Sequence, residues 1–341
     1  EENKIENLFA LEGNTYAHGQ GYDYLAGYVI GTGLSNLTHE NNDQFMTFGM
    51  LRETNPPFYT SGDKLNDVLE DVYPLSGLGT QTNPFEVYSV EDFAYINDFL
   101  YAHYRIRANL DFTGHEFTTI GRNVKFTGSI SGAMTHQDYL DNGETVRSYR
   151  LEGLSDALVY HNDGTIRDLR IQIFYNEVKN TDTTFGAVAI YNSGTIQGVN
   201  AEGYISLRVT GNRTAIVGGF VGQDLGGEYI EVEEPLEDDA PIQDPSRELS
   251  SINNIVLTIT ASSINAGGFI GRITGATLLS YIISEADIIC TGGAITAGTI
   301  AGTVLTREMN DDNQFIEDTA ARVYVNGEDK TKEYGFNIND I

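Results

Sequence analysis

The chain is poor in the features by which many functions are read. One cysteine, Cys290, stands among 341 residues, so no intrachain disulfide can form. Its place in Ile288-Ile289-Cys290 suits a small buried hydrophobe better than a reactive thiol. Basic residues are scarce: 20 Lys and Arg against 49 Asp and Glu give a formal net charge of −29. Nucleic acid and anionic membrane surfaces repel such a chain, which leaves neutral or cationic ligands, divalent cations, or plain solubility. No apolar run approaches the roughly 20 residues that cross a bilayer, so no membrane insertion is expected in this stretch. The sequence begins at Glu1 without methionine and shows no signal-peptide pattern. That fits a processed fragment of a longer parent, with anchors and further domains expected elsewhere.

Marks of catalysis are equally scarce. A zinc peptidase needs His-Glu-x-x-His, but His115-Glu116 is followed by Phe117-Thr118-Thr119. The six histidines are scattered, and neither a Walker loop nor a nucleophile elbow occurs. No catalytic residue and no resident cofactor is therefore expected. One enzymatic class survives as an alternative, a polysaccharide lyase or glycoside hydrolase. It needs two carboxylates at one groove, or a carboxylate-bound cation with a base. Asp163, Asp168 and Glu202 are the acids that would serve.

What the sequence does have is a repeat. Small residues followed by an apolar pair open five copies, at Asp156-Ala157-Leu158-Val159, Gly186-Ala187-Val188-Ala189, Gly218-Gly219-Phe220-Val221, Gly267-Gly268-Phe269-Ile270 and Gly298-Thr299-Ile300-Ala301. Eight residues after the first four openings stand Gly164, Gly194, Gly226 and Gly275, with Thr306 in the fifth. The steps between openings are 30, 32, 49 and 31 residues. The long step marks an insertion of about 18 residues. The second column is always small (Ala157, Ala187, Gly219, Gly268, Thr299) and the third always large and apolar (Leu158, Val188, Phe220, Phe269, Ile300). Columns kept from copy to copy mean that equivalent residues stack on one another, as in a parallel coil. Further strands read at 165–171 and 195–199, then at 204–209 and 255–259. Three strands and three turns per coil of about 30 residues, rising roughly 4.8 Å each, predict an all-β parallel β-helix. Helices are disfavoured by the many glycines and β-branched residues, at about 0.5–1 kcal/mol each.

The flanks read less clearly. Residues 1–76 are an irregular segment in which Gly27-Tyr28-Val29-Ile30-Gly31 echoes the repeat, and Tyr16, Tyr22 and Tyr24 are candidates for a sugar-stacking surface. Residues 77–103 comprise a turn and a short helix opened by the capping-box pattern Ser89-Val90-Glu91-Asp92. Its apolar face, Phe93, Ile96, Phe99 and Leu100, is expected to end near His103 and to lid the β-helix. The β-helix proper is assigned to 104–308, with strand-like alternation over 104–112 and a surface loop at 133–147. Its acidic insertion, 228–248, holds Glu231, Glu233, Glu234, Glu237, Asp238 and Asp239, a candidate loop for calcium or for a partner, without EF-hand spacing. Residues 309–341 form the exit, with a strand at 321–325 and a turn at Asn326-Gly327.

The order of pieces along 77–306 resembles the GLUG-motif proteins. The pieces are the turn at 79–85, Glu91-Asp92-Phe93, Asn109-Leu110-Asp111-Phe112-Thr113-Gly114, Phe117-Thr118-Thr119-Ile120-Gly121, Phe126-Thr127-Gly128, Gly219-Phe220-Val221-Gly222 and Gly268-Phe269-Ile270-Gly271. Two departures stand out: a longer insertion at 131–147, and degenerate copies at Asp156 and Gly298. The resemblance implies a right-handed parallel β-helix, which with the three strands per coil and the helix read above makes a three-sided β-solenoid with a short N-terminal capping helix. It also implies an extracellular place, secreted or on a bacterial cell surface, like the non-catalytic region of immunoglobulin A peptidases. The role implied is structural or adhesive, and no catalytic residue is carried across; a host or microbial surface glycan or protein is the candidate partner for such a module. A ligand-free spacer or fibre subunit is a further alternative.

Overall fold

Each copy of the repeat runs its apolar residues into a four-residue strand: Val159–Asn162, Ala189–Asn192, Val221–Asp224, Ile270–Ile273 and Ala301–Val304. The computed structural model describes residues 75–77, 79–134, 148–230, 251–275, 278–305, 314–317 and 321–333, and the strand pair Ala10–Leu11 with Val29–Ile30. The five strands form one parallel sheet in sequence order. Val159 faces Ala189, Ala189 faces Val221, Val221 faces Ile270, and Ile270 faces Ala301. The register of this first ladder is thus the register of the repeat, and the 49-residue step advances the sheet by one strand like the others.

Two more parallel ladders run through the same repeats. The second joins Phe85–Val87, His103–Ile106, Ser129–Ser131, Thr165–Arg167, Thr195–Gln197 and Glu228–Ile230. The third joins Tyr149–Leu154, Leu169–Lys179, Asn200–Val209, Ser251–Gly267, Asp287–Gly298 and Arg322–Val325. Among the described residues every strand pair is parallel except the hairpin of Arg322–Val325 with Glu328–Asp329. Asn326 (φ 51°) and Gly327 (φ 83°) supply its left-handed turn, as the sequence leads one to expect. The protein is nearly all β and β-helix-like, with one short α-helix among the described residues.

The core follows the columns. Leu158, Val188, Phe220, Phe269 and Ile300 are all fully buried, and Phe220 stacks on Phe269 with centroids 4.3 Å apart. Burying each such side chain contributes about 1.5–3 kcal/mol. Cys290 lies in the same interior, where burial pushes its thiol up to about 12.

Several boundaries differ from the sequence reading. The strand expected over 165–171 breaks at Asp168 (φ 54°), and its equivalent breaks at Gly198 (φ 57°). One left-handed residue turns the chain from the second ladder into the third, a conformation open to glycine and tolerated by aspartate. The repeat also holds a fourth strand segment, Thr183–Phe185 and then Thr214–Gly218, which leads into the next opening. In the third copy it fuses with the third-ladder strand into the 17-residue Ser251–Gly267, because Ala261 and Ser262 replace the longer turn around Gly211 (φ 79°).

The helix is shorter than expected. It spans Val90–Ala94, capped reciprocally by Ser89 and Asp92, continues as a 3-10 turn over Tyr95–Asp98, and stops there. His103 instead begins a strand, since Tyr104 and Ile106 are needed inside to pair with Phe85 and Val87. Phe93 packs edge-on against Phe112 at 5.1 Å. The strand expected over 104–112 divides between ladders, with His103–Ile106 in the second and Leu110–Asp111 paired to Tyr149–Leu154 in the third.

Candidate functional site

The turn that follows each first-ladder strand is where polar side chains gather. A Cβ added to Gly164 would lie 2.1 Å from the carbonyl oxygen of Gly128, and one on Gly194 2.2 Å from that of Gly164. Backbones of successive repeats therefore touch at this corner, which explains the glycine eight residues after the first, second and fourth openings. Two residues earlier stand Asn162, Asn192 and Asp224, all fully buried. Asn162 Nδ2 donates to Asn192 Oδ1 at 2.8 Å, and Asn192 Nδ2 donates to Asp224 Oδ2 at 3.3 Å. Each side chain also accepts from the turn below it: Gly164 N–H to Asn162, Gly194 N–H to Asn192, and the Gly226 and Gly227 N–H groups to Asp224. This ladder satisfies groups that would each cost about 1–3 kcal/mol if buried unpaired. Sequence reasoning missed it, although the signal stood at a constant offset from the glycine column.

Outside this corner a groove of about 870 Å³ is lined by His103, Arg105, Ser129, Asp163, Arg167 and Ser193. His103 Nδ1 and Ser129 Oγ are 2.7 Å apart. At its rim His161 Nε2 lies 3.1 Å from Ser193 Oγ, and Ser193 donates to Asp163 Oδ1 at 2.6 Å. These three residue types are those of a hydrolytic triad, but the proton order is reversed. The single hydroxyl proton of Ser193 goes to a carboxylate that only accepts, so His161 Nε2 must carry a hydrogen and donate. A triad instead needs histidine to accept from serine and aspartate to orient the histidine. Burial holds both His103 and His161 below the usual histidine range, Lys125 adding to this at His161 and Asp163 opposing it.

The three candidate carboxylates are not brought to one groove. Asp163 is engaged by Ser193 and by Lys125 at 3.5 Å. Asp168 accepts from Arg167 Nε at 2.6 Å, while burial raises its carboxyl above the usual range against the pull of that arginine. Glu202 belongs to the third ladder, where it accepts from Gln172. Among the described residues no three His, Cys, Asp or Glu side chains converge as a metal site would require. No described helix is long and apolar enough to cross a membrane. Tyr16, Tyr22, Tyr24, Glu231, Glu233, Glu234, Glu237, Asp238 and Asp239 lie outside the described residues.

No family model matches the sequence, and no curated protein matches it. A crystal structure from Bacteroides ovatus, of a "putative immunoglobulin A1 protease", aligns with a TM-score of 0.44 at 12% sequence identity. The alignment covers 74% of this chain and 80% of that one. Similarity at this level says nothing of activity.

Proposed function

We propose that the chain is a right-handed, three-sided β-solenoid module of a secreted or surface-displayed bacterial protein, a stiff non-catalytic scaffold that presents surfaces for adhesion. One observation carries this reading: the first ladder keeps a single parallel register from Val159 to Ala301, through steps as unequal as 31 and 49 residues. A body whose repeats share strand pairing and one continuous core resists bending and tolerates insertions at its turns. The resemblance of its motifs to GLUG-motif regions points to the same setting. In this reading the helix Val90–Ala94 closes the N-terminal end of the core by laying Phe93 over Phe112 and Phe117.

The test is to pass the purified chain over immobilised host and microbial glycans and proteins. Retention is scored beside the appearance of new reducing ends or unsaturated products. Retention without products is the expected result. Products would overturn the non-catalytic assignment, and no retention on any surface would favour a ligand-free spacer.

A further inference from the structure

A second cleft, of about 460 Å³, opens where the end of Leu169–Lys179 and the loop after it meet the outer side of the first ladder. Its walls include Tyr160 and Tyr191, which lie on adjacent first-ladder strands one residue out of register, Tyr191 facing His161, and whose rings meet edge to face with centroids 5.7 Å apart and planes at 61°. Both are partly exposed. Tyr175 also lines it, only 5% exposed, its ring stacked on Phe185 at 3.7 Å. The Tyr175 hydroxyl makes no hydrogen bond to any described residue. It sits within the field of Asp156, Glu177 and Arg122, all of which line the same cleft.

The charges around it are largely spent on one another. Arg122 pairs with Asp156, and Lys179 with Glu177 at 3.0 Å. Asp182 accepts from the backbone N–H of Thr214 at 2.7 Å.

We propose that this cleft binds one neutral sugar unit of a surface glycan, an inference that rests on the adhesive reading above. Tyrosine rings carry negative faces and offer apolar area to the C–H side of a pyranose. Threonine hydroxyls 181, 183 and 184 and the paired charged groups at the rim give the sugar hydroxyls both donors and acceptors. The paired lining gives a free cation little excess charge to hold, and the net charge of −29 disfavours acidic glycans. The volume lies within the ~300–1,000 Å³ usual for small-ligand sites. Tyr175 supplies the polar group at the floor, a donor held in place by its stack on Phe185 and left open to a ligand oxygen.

The full chain is to be titrated with oligosaccharides of glucose, galactose, mannose or fucose, with sialylated counterparts, and with tetramethylammonium. Retention of at least one neutral oligosaccharide is expected. Tyr191→Ala should weaken it by roughly tenfold or more through loss of ring contact. Tyr175→Phe should weaken it by roughly threefold to tenfold through loss of one hydrogen bond, with an unchanged melting temperature because the stack on Phe185 remains. Wild-type affinity in both variants would overturn the site while leaving adhesion standing. So would binding of tetramethylammonium in place of any sugar, or adhesion to protein surfaces alone. Retention on no surface of any kind would overturn both this inference and the adhesive reading.

Discussion

The earlier and later repeats solve the same packing problem with opposite corners. From Asn162 to Asp224 the corner after the first ladder is polar and fully buried, while the facing third-ladder column, Ile171 and Ala201, is apolar. From Ile273 to Val304 that first corner turns aliphatic. The third-ladder column turns polar, beginning in the repeat that still carries Asp224, with Asn253 in register with Ala201 and Ser284 in register with Asn253. Asn253 Nδ2 donates to the carbonyl of Gly268, and Ser284 Oγ to that of Thr299 at 2.8 Å. The small second column follows this exchange. A Cβ on Gly219 would lie 2.3 Å from Asn253 Nδ2, and one on Gly268 2.5 Å from Ser284 Oγ, whereas the earlier repeats carry Ala157 and Ala187. Alanine thus goes with an aliphatic partner and glycine with a polar one. Buried polar groups are tolerated at either corner, provided that a carbonyl or an amide of the neighbouring repeat is within reach.

The junction between the two schemes is the stacked pair Phe220 and Phe269, and the largest effect is expected there. Phe269→Ala should cost about 3–5 kcal/mol, read by urea denaturation; a loss below about 1 kcal/mol would mean that the stack is not a shared core. Next comes the polar rung. Asn192→Leu removes the acceptor of Asn162 Nδ2 and of the Gly194 N–H, at about 1–3 kcal/mol. The aliphatic rung should be milder, Ile273→Val costing about 0.5–1.5 kcal/mol. If the two rungs responded in the reverse order, the polar corner would be incidental rather than structural.

The smallest effect concerns pH. His103 and His161 are held below their usual value of about 6.5, first by burial, so the unfolded chain takes up protons before the folded one. Stability from the neutral rings is complete above about 6.5 and is lost as pH falls through the window beneath it. The denaturation midpoint should therefore drop between pH 7 and 5, and a His103→Gln, His161→Gln double variant should drop less steeply. An identical slope in both chains would show that other groups govern the acid response.

Much of this architecture was legible because stacking is a translational property. Once Phe220 and Phe269 occupy the same column, their contact follows, and so does the parallel pairing of Val221 with Ile270 across the acidic insertion. The helix start was legible for a local reason, the reciprocal bonds of Ser89 and Asp92. Its end was not, because Tyr104 and Ile106 join a strand whose partner, Phe85–Val87, lies upstream of the helix. The polar ladder escaped notice because a single asparagine before Gly164 or Gly194 reads as ordinary turn chemistry. The tyrosine cleft escaped because Tyr175 sits in the third ladder while Tyr160 and Tyr191 sit in the first.

The sequence by itself determined which residues stack: the period near 30, the small and large columns, and the parallel sense of pairing, since each depends only on a residue and its own equivalent in the next repeat. Tertiary structure alone decided what meets across the corners: the left-handed turn at Asp168, the Asn253 amide on the Gly268 carbonyl, and the open hydroxyl of Tyr175. Those contacts join different columns. Their distances are set by corner geometry, which no repeat period encodes.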